Sequence, residues 1–162
     1  MPHRALNVLF VCQGNSARSI MAEALLNRFS DGRFRAFSAG IEPAAELHPH
    51  ATETLRAAGL AVANLKPKSV SEFATPSAPR MDFVISMGKD LGKDLAPALR
   101  GIPGSPLRAQ WGISDPLGTS DANEETSAFR RTFRELENRI RLFVLLRHHG
   151  ESIPRIETRR SA

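Results

Sequence analysis

The sequence predicts an α/β fold in which a parallel sheet is covered by helices on both faces. Strand-like and helix-like segments alternate along the chain, which is typical of a parallel sheet built from strand–helix–strand units. The first strand segment, residues 6–11, is apolar except at Asn7, as expected for a strand buried on both faces. A chain of 162 residues is long enough to bury one core. We therefore predict one domain over residues 1–150 and a flexible basic tail over residues 151–162.

The remaining strands and helices follow from short local signals. Strands are predicted over residues 6–11, 34–39, 83–87 and 107–111, and helices over residues 16–29, 49–58, 90–99 and from about 121 to 148. In the first helix Ile20 and Ala24 recur at helical spacing, and Asp31-Gly32 ends it. Pro49 suits the first turn of the second helix, and Gly59 suits its C-terminal end.

The last helix carries the clearest pattern. Its apolar residues are spaced by four and three positions and form one stripe: Phe129, Phe133, Leu136, Ile140 and Phe143. Ser120 or Asp121 can cap its start, and the sequence His148-His149-Gly150 can close it.

Composition narrows the cellular setting and the partners. One cysteine cannot form an internal disulfide, and the chain shows neither a membrane-spanning segment nor a secretory signal, so we expect a cytoplasmic protein. The net charge is +5, and residues 128–162 alone hold nine arginines and four glutamates. A solvated helix face explains this excess most simply. Because no aromatic residue follows Phe143, nucleic-acid binding is only a minor hypothesis.

The chemistry is predicted at the end of the first strand, where the single cysteine opens a short polar loop. This loop and its continuation read Cys12-Gln13-Gly14-Asn15-Ser16-Ala17-Arg18-Ser19. The order strand, tight loop, helix directs several backbone N–H groups and a helix N-terminus at one point, which makes an anion site. The same field favours a thiolate, so Cys12 is a candidate nucleophile inside an oxyanion cradle. Arg18 would clamp the oxyanion with its planar fork of donors, and Gly14 would let the backbone turn toward the anion.

These motifs resemble the low-molecular-weight protein tyrosine phosphatase superfamily, which includes related arsenate reductases. The resemblance rests on the Cys-x5-Arg-Ser loop and on three further segments: residues 18–23 (Arg-Ser-Ile-Met-Ala-Glu), 37–40 (Phe-Ser-Ala-Gly) and 111–116 (Trp-Gly-Ile-Ser-Asp-Pro). It spans residues 6–146. It implies a three-layer fold whose four-stranded parallel sheet has the order 2-1-3-4.

The resemblance also implies roles for individual residues. The substrate oxyanion would be bound by the loop residues Gln13, Gly14, Asn15, Ser16, Ala17 and Arg18. The Asn15 side chain would hold the loop open, and the Ser19 hydroxyl would hydrogen-bond the thiolate. Asp115 would protonate the leaving oxygen and then activate water. On the sequence alone, an ordinary turn asparagine is the fallback for Asn15, and an ordinary serine of the first helical turn is the alternative for Ser19.

Neither a metal nor a bound organic cofactor is predicted. His48-Pro49-His50 is too sparse for a zinc site. Lys89 and Lys93 follow glycines but lack the spacing of a nucleotide-binding loop.

Two enzymatic functions and one non-enzymatic function remain open. Residues 16–23, together with Trp111-Gly112, are closer to the arsenate reductase branch, which we take as the leading hypothesis. Since the chain has no second cysteine, such a reductase would need an external thiol: glutathione with glutaredoxin, or mycothiol. The alternative is a phosphatase that hydrolyses phosphate monoesters, including phosphotyrosine. A remote alternative is a non-catalytic interaction module that uses the basic C-terminal helix.

Overall fold

The computed structural model describes residues 4–118 and 121–148, and a four-stranded parallel sheet lies at its centre. The strands are β1 (Leu6–Cys12), β2 (Phe34–Gly40), β3 (Phe83–Ser86) and β4 (Leu107–Gln110). Their order is β2-β1-β3-β4, and every neighbouring pair is parallel. This confirms the predicted α/β class and the strand order 2-1-3-4.

The helices confirm the predicted alternation and shift some of its boundaries. They are α1 (Arg18–Phe29), α2 (Pro49–Ala57), α3 (Gly92–Ala98) and α4 (Ala122–His148), with single 3-10 turns at Val70–Phe73 and Lys89–Leu91. The first helix begins at Arg18 and not at residue 16, because Ala17 has a φ of −139° and a ψ of −83°, outside the helical region. The predicted helix over residues 90–99 is divided because Gly92 has a φ of 38°.

Asp121 supplies one of the two predicted caps of α4. Its Oδ1 atom accepts a hydrogen bond from the Asn123 N–H at 2.8 Å, which satisfies a donor of the first helical turn. Ser120, the predicted closing residues His149 and Gly150, and the basic tail over residues 151–162 lie outside the described residues.

The two faces of β1 are buried in two different cores, as its continuous apolar run predicts. Val8 and Phe10 face α1 and α4, where Ile20, Leu25, Phe129 and other apolar residues pack. Leu9 and Val11 face the opposite layer, formed by α3 and the 3-10 turns and including Val70, Phe73, Leu91 and Leu99. The three layers therefore fix the carboxyl end of β1, where the cysteine loop begins. None of the helices in the described part of the chain is long and apolar enough to cross a membrane.

Candidate active site

The loop after β1 turns its carbonyl groups to one side and its N–H groups to the other. The carbonyl oxygens of Cys12, Gln13, Gly14 and Ser16 accept hydrogen bonds from the backbone N–H groups of Ile41, Glu42, Ala44 and His48 at 2.9–3.2 Å. In a planar trans peptide, the N–H of the next residue points away from the carbonyl. The N–H groups of residues 13, 14, 15 and 17 therefore face away from the 41–48 segment. This gives the loop the geometry of an anion cradle.

The Cys12 sulfur lies on the N–H side of that cradle. The Asn15 N–H donates to Cys12 Sγ at 3.2 Å, and Ser19 Oγ lies 2.8 Å from the same sulfur. The residue is only 4% exposed. A sulfur that faces two donors is placed to act as an acceptor, which suits the anionic form of the thiol.

A chain of hydrogen bonds leads from the Lys68 backbone to the Ser19 hydroxyl and leaves its hydrogen available for Cys12. The Lys68 backbone N–H donates to Asn15 Oδ1 at 2.9 Å, which orients the side-chain amide. Asn15 Nδ2 then donates to Ser19 Oγ at 2.8 Å. Because the Ser19 oxygen already accepts from Asn15, its own hydrogen is free to point at the Cys12 sulfur. Asn15, Ser19 and Cys12 thus act as one connected unit.

Asn15, and not Gly14, adopts the unusual backbone conformation of the loop. Asn15 has a φ of 49°, whereas Gly14 is outside the left-handed region. Gly14 thus contributes no left-handed turn, and its role in turning the backbone toward the anion stays a prediction. Asparagine tolerates this conformation better than most side chains, and here its amide is also held at both ends by the Lys68 N–H and Ser19.

Gly40, the last residue of β2, lies directly against the outer side of the loop. A Cβ atom at this position would be 2.8 Å from the Gln13 carbonyl oxygen and 3.0 Å from both the Asn15 nitrogen and the Gly14 carbonyl carbon. Its own N–H donates to the Lys68 carbonyl oxygen at 2.7 Å. The close approach of two backbones requires glycine here.

Arg18 and Asp115 meet across the mouth of the site. Arg18 is 7% exposed, and its Nη1 atom donates to the Ile113 carbonyl oxygen at 3.1 Å. Its Nη2 atom lies 3.7 Å from Asp115 Oδ2. Asp115 Oδ1 accepts the Leu117 N–H at 3.0 Å, so the second oxygen is the one turned toward Arg18. The Asp115 side chain is about half exposed, at 53%, and is open to water.

The loop that carries Asp115 is anchored on buried residues. The Ile113 N–H donates to the Met87 carbonyl oxygen at 2.7 Å, and the Ile113 side chain is 2% exposed. The Trp111 ring packs against Phe10, with the ring centroids 5.6 Å apart. The acid loop, residues 111–117, therefore lies at the same sheet edge as the cysteine loop, as expected for strands whose carboxyl ends share one edge.

Behind the cradle lies an ion pair between α1 and the segment that follows α2. Glu23 Oε1 is 3.8 Å from Lys68 Nζ, and both side chains are largely buried. Burial raises the pKa of the Glu23 carboxyl, while the Lys68 ammonium opposes the shift. Lys68 thus contacts the site twice, through its backbone N–H at Asn15 and through this ion pair.

Sequence patterns did not single out Lys68 as a site residue. It is 53 positions from Asn15. Because the contact uses the backbone N–H, it does not depend on the residue type and cannot be predicted from the sequence. Gly40 and Glu23 fell inside the motifs that carried the family resemblance, but without an assigned task. A strand-ending glycine opposite the loop was the one signal that could have pointed to Gly40.

His48 and His50 lie at the start of α2, and both ring nitrogens of His48 have polar partners. His48 Nδ1 accepts the His50 N–H at 3.2 Å, which caps the helix, and His48 Nε2 lies 3.0 Å from Glu125 Oε1. Within residues 4–118 and 121–148, no group of three or more histidine, cysteine, aspartate or glutamate side chains is arranged to hold a metal ion.

A thiol in a cradle of N–H donors, with an arginine and a carboxylate at its mouth, defines a cysteine-based oxyanion enzyme. The family model for low molecular weight phosphotyrosine protein phosphatases matches residues 7–154. The chain belongs to this family, and it is an enzyme of the superfamily that contains both phosphatases and arsenate reductases.

The similar proteins include both arsenate reductases and a protein tyrosine phosphatase. The chain is 31% identical to the arsenate reductase of Bacillus subtilis (strain 168) over 138 residues, which are 85% of this chain and 94% of the relative. The crystal structure of the arsenate reductase from Archaeoglobus fulgidus matches with a TM-score of 0.65 and 30% identity, covering 89% of this chain and 99% of that one. A low molecular weight protein tyrosine phosphatase from T. tengcongensis matches with a TM-score of 0.66 and 25% identity, with the same coverage.

Proposed function

We propose that this protein is an arsenate reductase that depends on an external thiol, with Cys12 as its nucleophile. The observation that carries the proposal is the Cys12 sulfur held by the Asn15 N–H and the Ser19 hydroxyl on the N–H side of the loop. The relatives named arsenate reductases supply the substrate class. The whole of residues 1–150 would act as one catalytic domain, because both cores share the sheet that places the site.

The first step would be displacement at arsenic. The Cys12 thiolate attacks the arsenic of arsenate, a sulfur–arsenic bond forms, and one arsenic–oxygen bond breaks. Asp115 gives a proton to the departing oxygen, which leaves as water. The N–H groups of residues 13, 14, 15 and 17 and the Arg18 guanidinium hold the remaining oxygens, where negative charge develops.

The second step would need a thiol from outside the chain, because the sequence holds one cysteine. The external thiolate attacks the Cys12 sulfur, and a mixed disulfide forms. The sulfur–arsenic bond breaks, and its electron pair leaves with arsenic as arsenite. A second thiol then reduces the mixed disulfide and restores Cys12. Two thiols are oxidised to one disulfide for each arsenate reduced. Glutathione with glutaredoxin, or mycothiol, fits this role.

Phosphatase activity is the second candidate, and the position of Asp115 favours it. The same thiolate would attack phosphorus, and Asp115 would protonate the leaving alcohol. The cysteinyl phosphate would then be hydrolysed by water that Asp115 deprotonates. This cycle needs no second thiol, and a half-exposed carboxylate beside Arg18 has access to that water.

A paired assay on the purified full chain separates the two functions. Arsenite release would be measured from arsenate with glutathione and glutaredoxin, and separately with mycothiol. Hydrolysis would be measured with p-nitrophenyl phosphate. Cys12→Ser should abolish both activities. Asp115→Asn should slow both by about 100-fold or more, whereas the matched exposed variant Asp121→Asn should stay within about twofold of the wild type, since asparagine also caps helices.

Each pattern of results leads to one conclusion. Arsenite release that disappears in Cys12→Ser supports the reductase and identifies its thiol. Hydrolysis without arsenite release would reject the reductase in favour of the phosphatase. Absence of both activities in a folded wild-type protein would reject the enzymatic proposal and leave the interaction module, for which Cys12→Ser should be harmless.

A further inference from the structure

One hydroxyl is buried in the apolar face of α4. Residues at every fourth position of this helix are at most 9% exposed: Ala128, Thr132, Leu136, Ile140 and Val144. Thr132 is 2% exposed and is the polar member of this stripe. Burying a hydroxyl costs free energy unless it is hydrogen-bonded, and a valine of similar shape would satisfy the packing. The hydrogen-bond partner of the Thr132 hydroxyl therefore decides what this buried group contributes.

The Thr132 hydroxyl bonds across to the acid loop and not back into its own helix. A helical threonine commonly donates to the carbonyl four residues earlier, as Thr126 does to the Ala122 carbonyl oxygen at 3.1 Å. Thr132 Oγ1 instead donates to the Ser114 carbonyl oxygen at 3.2 Å. Ser114 directly precedes Asp115, so this bond reaches the peptide that leads into the carboxylate.

Fixing that carbonyl fixes the backbone at Asp115. The Ser114 carbonyl and the Asp115 nitrogen belong to one planar peptide, so a bond at the oxygen limits rotation of the whole unit. Before this point the loop is held at Ile113. Its N–H donates to the Met87 carbonyl oxygen, and its own carbonyl oxygen accepts from Arg18. Ser114 and Asp115 themselves are exposed and contribute little packing of their own.

We infer that Thr132 is a positioning residue that holds Asp115 in register with Arg18 and the cysteine loop. The inference rests on the proposed role of Asp115 as general acid. Without the hydroxyl, the 114–115 peptide would gain freedom, and Asp115 would spend less time at the distance needed for proton transfer. The fold would be little affected, because valine fills the same space in the buried stripe.

The kinetic test compares leaving groups. Thr132→Val should have a kcat/KM on phenyl phosphate, whose leaving group needs a proton, about tenfold below that of the wild type, because kcat/KM reports the step that forms the cysteinyl phosphate and not its later hydrolysis. It should stay within about twofold on 2,4-dinitrophenyl phosphate, whose leaving group does not need one. Thr132→Ser keeps the hydroxyl and should restore the wild-type profile. Thr126→Val, the same substitution on the same helix, should change neither rate. In an Asp115→Asn background, Thr132→Val should have no further effect.

A structural readout keeps this test separate from the proposed function. Hydrogen exchange of the backbone N–H groups of residues 113, 114, 115 and 117 should quicken in Thr132→Val and return to normal in Thr132→Ser. Trp111 is the only tryptophan, so its fluorescence reports on the same loop. Unchanged exchange, an equal loss of kcat/KM with both leaving groups, or failure of Thr132→Ser to recover would each overturn the inference. If the wild type has neither activity, the proposed function is rejected. Hydrogen exchange of the loop N–H groups in Thr132→Val would still decide whether Thr132 holds the loop.

Discussion

Replacing Gly40 with alanine should displace the cysteine loop without touching any of its side chains. The added Cβ would be 2.8 Å from the Gln13 carbonyl oxygen, whereas ordinary contact begins at 3.4 Å. The nearest atoms are all backbone, so either β2 or the cysteine loop must move away by roughly 0.6 Å, the difference between these two distances. Because Gly40 is the end of a paired strand and the loop is held mainly by single hydrogen bonds, we expect the loop to move.

The size of the effect follows from the distance. Such overpacking typically costs about 1–3 kcal/mol of folding free energy. A shift of about 1 Å in a catalytic group can slow a reaction by about 100-fold, so a shift of about 0.6 Å should lower kcat/KM by roughly 10- to 100-fold. The loss of activity should therefore be larger than the loss of stability alone would produce, since most of the protein remains folded at 25 °C.

The assay is kcat/KM on p-nitrophenyl phosphate, or on arsenate with the active thiol, together with urea unfolding of the same samples. Gly118→Ala is the matched control, because a Cβ there meets nothing within 4 Å. If Gly40→Ala retains wild-type kcat/KM, or loses no more than Gly118→Ala, the close packing of β2 on the loop does not control the site.

Three further predictions concern stability, and urea unfolding across a pH series checks them. Glu23 has a raised pKa because of burial, so the stability of the wild type relative to Glu23→Gln should be greatest below the ordinary value of 4.5 and should fall as pH rises through the raised pKa. A rise instead would show that the Lys68 pair outweighs burial. The hydrogen bond from Arg4 lowers the pKa of Asp82, so Asp82→Asn should destabilise the protein at neutral pH, and the difference should vanish as pH falls through that lowered pKa. A difference that persists in acid would contradict this cause. Leu136→Ala, at a fully buried position, should cost about 2–5 kcal/mol; a cost below about 1 kcal/mol would mean that α4 packs loosely.

Much of the fold could be predicted because its signals are local. The continuous apolar run over residues 6–11 required burial on both faces, and the structure buries Leu9 and Val11 in one core and Val8 and Phe10 in the other. The apolar stripe of α4 and the cap at Asp121 also depend only on neighbours along the chain. The predicted start of α1 was two residues early, because the Ala17 backbone lies outside the helical region and the Ser16 carbonyl oxygen accepts from the distant His48 N–H.

The sequence by itself determined the alternating α/β order, the place of the cysteine loop after the first strand and, through the family resemblance, the strand order. Each of these depends on residue types that lie close together in the sequence. Only the tertiary structure decided what supports the site: the Lys68 N–H at Asn15, the backbone of Gly40 against the loop, and the hydroxyl of Thr132 at the Ser114 carbonyl. The physical reason is that these contacts use backbone groups or a single hydroxyl between segments distant in the chain, so folding alone brings them together.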